Sequence, residues 1–274
     1  MRLSGLAVPL ATETSTADLV HATLSDYPVA AIEEVSQDEW QVFFVTSDER
    51  HTAAAAVSNL FPAVSVTLTD VADDDWAARS QASLRAIRAG DVVVAPPWDM
   101  QPPGAMLQIV IQPSMGFGTG HHATTRLCLS ALQNVPLAGC RVIDVGTGSG
   151  VLAIAASLLG AADVVGIDDD PDAIQAAREN LDLNVNAAVR FTVIDLRSFE
   201  GGTFDVVTAN LTGGLLMATA DRLEALTRPG GRLILSGIMA SEADAVLSCF
   251  GACTVLGRAD EDEWVCVTLE RRAT

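Results

Sequence analysis

Lysine is missing from this chain of 274 residues: all 16 basic side chains are arginine, against 35 acidic ones, for a formal net charge of −19. The only adjacent basic pair is Arg271-Arg272, near the C-terminal end. A nucleic-acid surface needs clustered cations to displace the counterions of the phosphate backbone, so direct nucleic-acid binding is not expected. The same field suits a basic protein partner or a cationic small molecule. Cysteine is scarce: Cys128, Cys140, Cys249, Cys253 and Cys266 form no paired framework, which points to free thiols in a reducing compartment. Cys249 and Cys253, spaced as one helical turn, have no companion ligands, and no metal site is expected. Long hydrophobic runs are also lacking. The longest apolar stretch, Val151 to Ile167, is broken by Gly160 and Asp163 and falls short of the ~18 unbroken residues of a membrane span. The apolar start, Leu3 to Ala11, carries no clean cleavage site. A cytoplasmic protein with no membrane partner is the expectation.

What is present, 49% hydrophobic residues, suffices for one large or two modest cores. Residues 1–69 alternate short elements: strand Leu3 to Leu10, helix Thr16 to Leu24, strands Val29 to Val35 and Trp40 to Thr46, helix Arg50 to Leu60, strand Val64 to Thr69. That βαββαβ order is the ferredoxin-like split motif, a small α+β domain. Its His21 and His51 lack acidic or Cys companions at useful spacing, so its expected role is substrate recognition. Residues 70–95 open acidic (Asp70, Asp73, Asp74, Asp75) and close basic (Arg79, Arg85, Arg88), matching a helix macrodipole, and read as a linker helix and connection. Val92 to Ala95 and Met106 to Gln112 look like a strand pair. In the remaining domain, 96–274, strands and helices alternate regularly after Thr124. This predicts a doubly wound, mostly parallel, Rossmann-like α/β sheet of seven strands.

The strongest chemical signal is Asp144-Val145-Gly146-Thr147-Gly148-Ser149-Gly150, where an apolar strand runs into glycines and then a helix. Glycines there let the backbone approach a ligand at a helix N-terminus. A dinucleotide fingerprint would place its third glycine where Val151 stands, so hydride-transfer chemistry fits poorly. About 20 residues beyond Gly146, at the end of the next strand, Asp168 stands where an acid meets ribose hydroxyls. Asp170 is placed to cap the helix that Pro171 opens, leaving Asp169 and Asp172 as solvated charges. Asn210 closes the fourth parallel strand, at the carboxyl edge where such sheets bind ligands, and is otherwise an awkward guest in a strand. Gly116, Gly118 and Gly120 make a hinge-like cover before a helix that Thr124 caps. His121 and His122, being adjacent, diverge in direction and have no companion ligands.

These residues resemble the class I S-adenosylmethionine-dependent methyltransferases, and within them the PrmA family, which methylates the eleventh protein of the large ribosomal subunit. The resemblance rests on Gly116-Phe117-Gly118-Thr119-Gly120-His121-His122-Ala123-Thr124-Thr125-Arg126, on Asp144 to Leu152, and on Ala209-Asn210-Leu211. Pro229-Gly230-Gly231 to Ser236-Gly237-Ile238 and the closing Glu263-Trp264 also fit. It implies that Thr125, Gly146, Asp168 and Asn210 contact S-adenosylmethionine, with Gly118, Thr119 and Gly148 beside them. The loop from Phe117 to His122 would fold over donor and target amine, so that Phe117, His122 and Asn210 serve the transfer itself. The implied substrate is a basic ribosomal protein of the large subunit, methylated on lysine or N-terminal amines. The sequence departs from the family where a second linker Trp and a Lys-Pro are common, carrying Ser80 and Arg85-Ala86 instead. It also reads Thr212-Gly213-Gly214 after Leu211. The competing readings are a methyltransferase for another protein or a small molecule, and a non-catalytic cofactor-binding module. The intact glycine loop, Asp168 and Asn210 argue against the last, and a separate N-terminal module favours a protein substrate.

Overall fold

The structure, a computed structural model, describes residues 4–9, 20, 23–24, 27, 29–36, 39–44, 46–70, 84–100, 106–113 and 122–273. The chain divides into two compact units, Met1–Ser83 and Leu84–Thr274.

In the first unit, β1 (Ser4–Pro9), β2 (Val29–Ser36), β3 (Glu39–Phe44) and β4 (Thr67–Asp70) form one sheet in the order β2-β3-β1-β4. Every pairing in it is antiparallel. Helix α1 (Ser47–Leu60) starts at a capping box: Thr46 Oγ1 accepts from Glu49 N–H, and the Glu49 carboxylate accepts from Thr46 N–H. Such reciprocal bonds satisfy two donors that a helix start leaves over. Val42, Phe44, Ala53 and Val57 close a core with Val20 and Leu24. The expected helix Thr16 to Leu24 falls outside the described residues except at Val20, Thr23 and Leu24. The last strand starts later than its apolar alternation predicts. Val64 N–H bonds back to the Phe61 carbonyl at 2.9 Å, closing a turn, so the ladder to β1 begins only at Thr67.

The second unit opens with a three-stranded sheet of β5 (Ile87–Ala89), β6 (Val92–Ala95) and β7 (Leu107–Val110). This corrects the linker reading at its C-terminal end. Residues 87–89 are a strand and not the last turn of a helix; residues 71–83 lie outside the described set. The cause is local, because Gly90, at φ +63°, makes the left-handed turn that joins β5 antiparallel to β6. Gln133 then clamps that turn, accepting from Asp91 N–H at 2.7 Å and donating to the Ala89 carbonyl at 2.8 Å.

Gln133 ends α2 (Ala123–Gln133), after which strands and helices alternate as expected. They are β8 (Arg141–Val145), α3 (Val151–Leu158), β9 (Asp163–Asp168), α4 (Pro171–Leu183), β10 (Arg190–Val193), β11 (Phe204–Asn210) and α5 (Gly213–Leu226). The chain closes with β12 (Thr227–Met239), α6 (Ala243–Ser248), β13 (Cys253–Glu261) and β14 (Trp264–Arg271). The seven strands lie in the order β10-β9-β8-β11-β12-β14-β13, with only β14 antiparallel to its neighbours. Successive residues of β8 feed opposite faces: Val142 packs in one core cluster, Ile143 and Val145 in the other. A sheet buried on both faces needs apolar residues at both parities, which is why β8 carries no polar alternation. Strand order reverses between β8 and β11, so the loops at their carboxyl ends part and leave a crevice.

Candidate active site

A cavity of about 900 Å³ opens at that crevice. Val145, Gly146, Gly148 and Ser149 line it from the end of β8, Asp168 from β9, Asp195 from the turn after β10, and Asn210 and Leu211 from β11. Gly237 of β12, His122 and Thr124 at the start of α2, and Trp264 of β14 complete the wall named here.

The loop between β8 and α3 is held by its backbone. Gly146 and Thr147 N–H both donate to the Ile167 carbonyl, at 2.9 and 3.0 Å, and Gly150 N–H donates to the Thr147 carbonyl at 2.8 Å. Gly146 and Gly150 sit at φ +68° and +81°, where an L side chain is strained. Space forbids one as well: a Cβ on Gly146 would overlap the Leu211 side chain, and one on Gly150 would crowd Phe191 and Ala177. Asn180 of α4 supports the loop from below, its Nδ2 donating to the Ser149 carbonyl at 2.9 Å.

Asp168 ties two segments together. Its Oδ2 accepts from Gly148 N–H at 2.9 Å and its Oδ1 from Asp170 N–H at 3.1 Å. Each oxygen keeps lone-pair capacity toward the cavity, which is what binding a vicinal diol requires. Asp170 caps α4 as expected, accepting from Asp172 N–H at 2.9 Å with Pro171 in the first turn. Behind the loop, Asp144 is fully buried. Its two oxygens accept from Thr147 Oγ1 at 2.7 Å and Thr208 Oγ1 at 2.6 Å. Burial pushes this carboxyl up to about 6, and the nearby Asp168 charge adds to the rise, while the two threonine bonds oppose it.

Asn210 is the last residue of β11, half-buried at the cavity wall. His122 is the N-cap of α2: Thr124 N–H approaches its Nδ1 at 3.4 Å and the Thr124 hydroxyl lies 2.8 Å away. The cap is therefore His122, two residues before the Thr124 expected to hold it. Its ring meets Trp264 edge-on at 4.8 Å. One turn along α2, Arg126 pairs with Glu261, Nε donating at 2.8 Å, which anchors the helix start to the β13–β14 hairpin.

Of the residues singled out from sequence, His122, Gly146, Gly148, Asp168 and Asn210 therefore meet at one cavity. Thr125 is buried, outside the residues that line the cavity, and its hydroxyl has no hydrogen-bond partner among the described residues. Phe117, Gly118 and Thr119 lie outside the described residues. Sequence reasoning passed over Asp195, Leu196, Leu211, Leu215 and the cavity role of Trp264. Asp195 had a usable signal, since like Asp168 it is an acid just past the carboxyl end of a parallel strand. Its carboxyl is lowered to about 2 by side-chain bonds from Arg197, so it stays ionised.

The chain matches the ribosomal protein L11 methyltransferase (PrmA) family over residues 8–272. The ribosomal protein L11 methyltransferase of Deinococcus radiodurans is 42% identical over 214 residues, covering 73% of this chain and 78% of the relative. That of Myxococcus xanthus is 38% identical over 232 residues, with 82% and 80% covered. Among solved structures, the ribosomal protein L11 methylase from Lactobacillus delbrueckii subsp. bulgaricus superposes with a TM-score of 0.65 at 27% identity, covering 69% of this chain and 100% of its own.

Proposed function

This chain belongs to the ribosomal protein L11 methyltransferase family, and on that premise we propose that it methylates ribosomal protein L11 from S-adenosylmethionine, on lysine side-chain or N-terminal amines. The observation that carries the reading is the meeting of three elements at one cavity: the Gly146–Gly150 loop, the Asp168 carboxylate and the Asn210 carboxamide. The residues fit the donor. Asp168 keeps acceptor capacity for the ribose diol, and Gly146 and Gly148 let the backbone come close. Ala173, Ala176, Ile194 and Leu196 supply an apolar wall for a planar base, with Asp195 within the same cavity as an acceptor.

When bound, S-adenosylmethionine supplies an electrophilic methyl on a sulfonium. The chain's own task is alignment, and orientation alone can lower the barrier by ~7 to 11 kcal/mol. Asn210, through its side-chain carbonyl, accepts an N–H of the acceptor amine and turns the nitrogen lone pair toward the donor. A lysine amine, with a free pKa of ~10.4, must first release a proton. We assign that proton to water, since His122 Nδ1 is already engaged by Thr124 at the start of α2. His122 and Trp264 act as the aromatic wall of the acceptor side.

The unit Met1–Ser83 we read as a ferredoxin-like recognition domain, on the strand order β2-β3-β1-β4 and on the lack of chemical side chains in its sequence. The net charge of −19 favours a basic face of L11 as the docking surface over nucleic acid, and the reading places the enzyme in the cytoplasm. The test is incubation with methyl-labelled S-adenosylmethionine and purified L11, followed by mass-spectrometric mapping. Label on L11 amines is expected. Label on a small molecule or on another protein, with none on L11, would replace the reading.

A further inference from the structure

Strand β12 is irregular at two places, and the second borders Asn210. From Val206↔Arg232 its pairing with β11 is in register up to Asn210↔Ser236, and Leu211 N–H then donates to the Ser236 carbonyl at 3.0 Å. On its other edge the register with β14 shifts between Leu235 and Ile238, a bulge spanning Ser236 and Gly237. The bulge is pinned from within: Ser236 is wholly buried and its Oγ donates to the Val265 carbonyl at 2.9 Å. Gly237 sits at φ +82°, a conformation that L side chains rarely adopt. A Cβ there would overlap the Leu211 carbonyl oxygen, and would lie 2.7 Å from its carbonyl carbon and 3.1 Å from its nitrogen. These are backbone atoms, so no side-chain rotation can relieve the clash. On the opposite flank the Leu211 side chain fills the space that Gly146 leaves open. The peptide that follows Asn210 is thus seated between two glycines, one set by the bulge and one by the donor loop.

We propose that Gly237 is a positioning residue for methyl transfer: the Ser236–Gly237 bulge fixes the Leu211 peptide and, through it, the place of the Asn210 carboxamide against the acceptor amine. Bulges next to active sites commonly re-aim a neighbouring side chain, and here the re-aimed group is on the adjacent strand. Any other residue at 237 sets a Cβ against the Leu211 peptide, so that the peptide must shift and carry Asn210 with it. A shift of 1 Å in a reacting group costs on the order of 100-fold in rate. This inference rests on the proposed alignment role of Asn210.

The test is kinetic, on the full chain with S-adenosylmethionine and L11. Gly237→Ala is expected to lower kcat by about 100-fold while the donor Kd, read by calorimetry, stays within about threefold of wild type. Ser236→Ala, which removes the hydroxyl that pins Val265 and meets the Cys128 thiol but leaves the glycine, is expected to lower kcat by about 3- to 10-fold with donor Kd unchanged. It decides the question should Gly237→Ala not fold. The double variant Gly237→Ala/Asn210→Ala separates a route through Asn210 from general loosening. Once the carboxamide is gone, the glycine change should cost little more, a strong departure from additivity. Wild-type kcat in Gly237→Ala, or in Ser236→Ala where Gly237→Ala does not fold, parallel loss of kcat and donor affinity, or full additivity in the double variant each overturns the proposal while the Asn210 reading stands. Wild-type turnover in Asn210→Ala removes the Asn210 reading, and the proposal with it.

Discussion

Asp168 is expected to have two functions at once, and its replacement should reveal both. Its oxygens organise the loop through Gly148 and Asp170, and the same carboxylate is the proposed ribose contact. Hydrogen bonds to a charged group contribute about 1.5 to 3 kcal/mol each, so Asp168→Ala should weaken S-adenosylmethionine binding by on the order of 100-fold or more, read by calorimetry. Donor affinity within a few-fold of wild type would remove Asp168 from the site. Asp144, one strand away, makes a different prediction. Its folded-state pKa, about 6, lies above its ordinary 3.8, so between those values the folded chain holds a proton that the unfolded chain has released. Its contribution to stability is present in full below about pH 3.8 and falls as pH rises toward 6, by roughly 3 kcal/mol at most. Asn at 144 keeps the shape and cannot ionise. Asp144→Asn should therefore abolish that part of the slope of Tm between pH 4 and 6, and an unchanged slope would locate the titration elsewhere. At this scale the sequence revealed the glycines, Asp168 and Asn210 because each occupies a fixed offset from a strand end. Asp144 stood in the motif, but its two threonine partners are 3 and 64 positions away, and only folding brings Thr208 to it. Leu211 and Leu215 carry no polar signature that sets them apart from core leucines.

Two asparagines, Asn180 on α4 and Asn184 capping its end, show how elements are joined without a shared ladder. Asn184 Oδ1 accepts from Val110 N–H at 2.9 Å and its Nδ2 donates to the Val110 carbonyl at 2.7 Å, so one carboxamide stands in for a neighbouring strand along β7. Asn180 accepts from Gln112 N–H at 2.8 Å and donates to Ser149, linking the same edge to the glycine loop. Both side chains are buried, and cutting one back leaves backbone groups without partners, at about 1 to 3 kcal/mol each. Asn184→Ala should therefore lower unfolding stability by roughly 2 to 4 kcal/mol in urea titrations, with the slope unchanged. A loss under about 0.5 kcal/mol would mean that water replaces the carboxamide. Neither residue stood out in the sequence, since an Asn pair spaced four apart on a helix reads as surface. Strand ends are hidden from composition for related reasons. β13 runs on through Arg258, Ala259, Asp260 and Glu261, which show no apolar alternation because this edge strand is exposed along most of its length and gains its order from pairing with β14. β12 begins at Thr227 and carries the Pro229-Gly230-Gly231 segment, whose composition is that of a turn. β5 was absorbed into a helix because the charge gradient of residues 70–90 continues smoothly across it. Its true marker is the left-handed Gly90, whose turn is clamped by Gln133, 43 positions further on in α2.

At the scale of the whole molecule, the two compact units have separate cores: Val20, Leu24, Val42, Phe44 and Val57 belong to one, and the clusters on the two faces of the seven-stranded sheet to the other. Every residue named for the donor lies in Leu84–Thr274, whose sheet, glycine loop and Asp168 hydrogen bonds are complete within that span. Donor binding and recognition of L11 should then separate. A chain beginning at Leu84 is expected to bind S-adenosylmethionine within about threefold of the full-length Kd, because every proposed donor contact lies in Leu84–Thr274. Methylation of L11 should fall by 100-fold or more in kcat/KM. The acidic surface still attracts a basic partner, but charge steers encounter without fixing register, which needs a shaped contact. Salt separates the two contributions. If the remaining attraction is electrostatic, the residual rate of the shortened chain should drop steeply between about 50 and 200 mM salt, while the full-length enzyme, held by shaped contacts as well, should lose less. Full-length rates on intact L11 from the shortened chain would show that recognition resides in the catalytic unit, where Leu215 and Met217 of α5 are among the exposed apolar side chains.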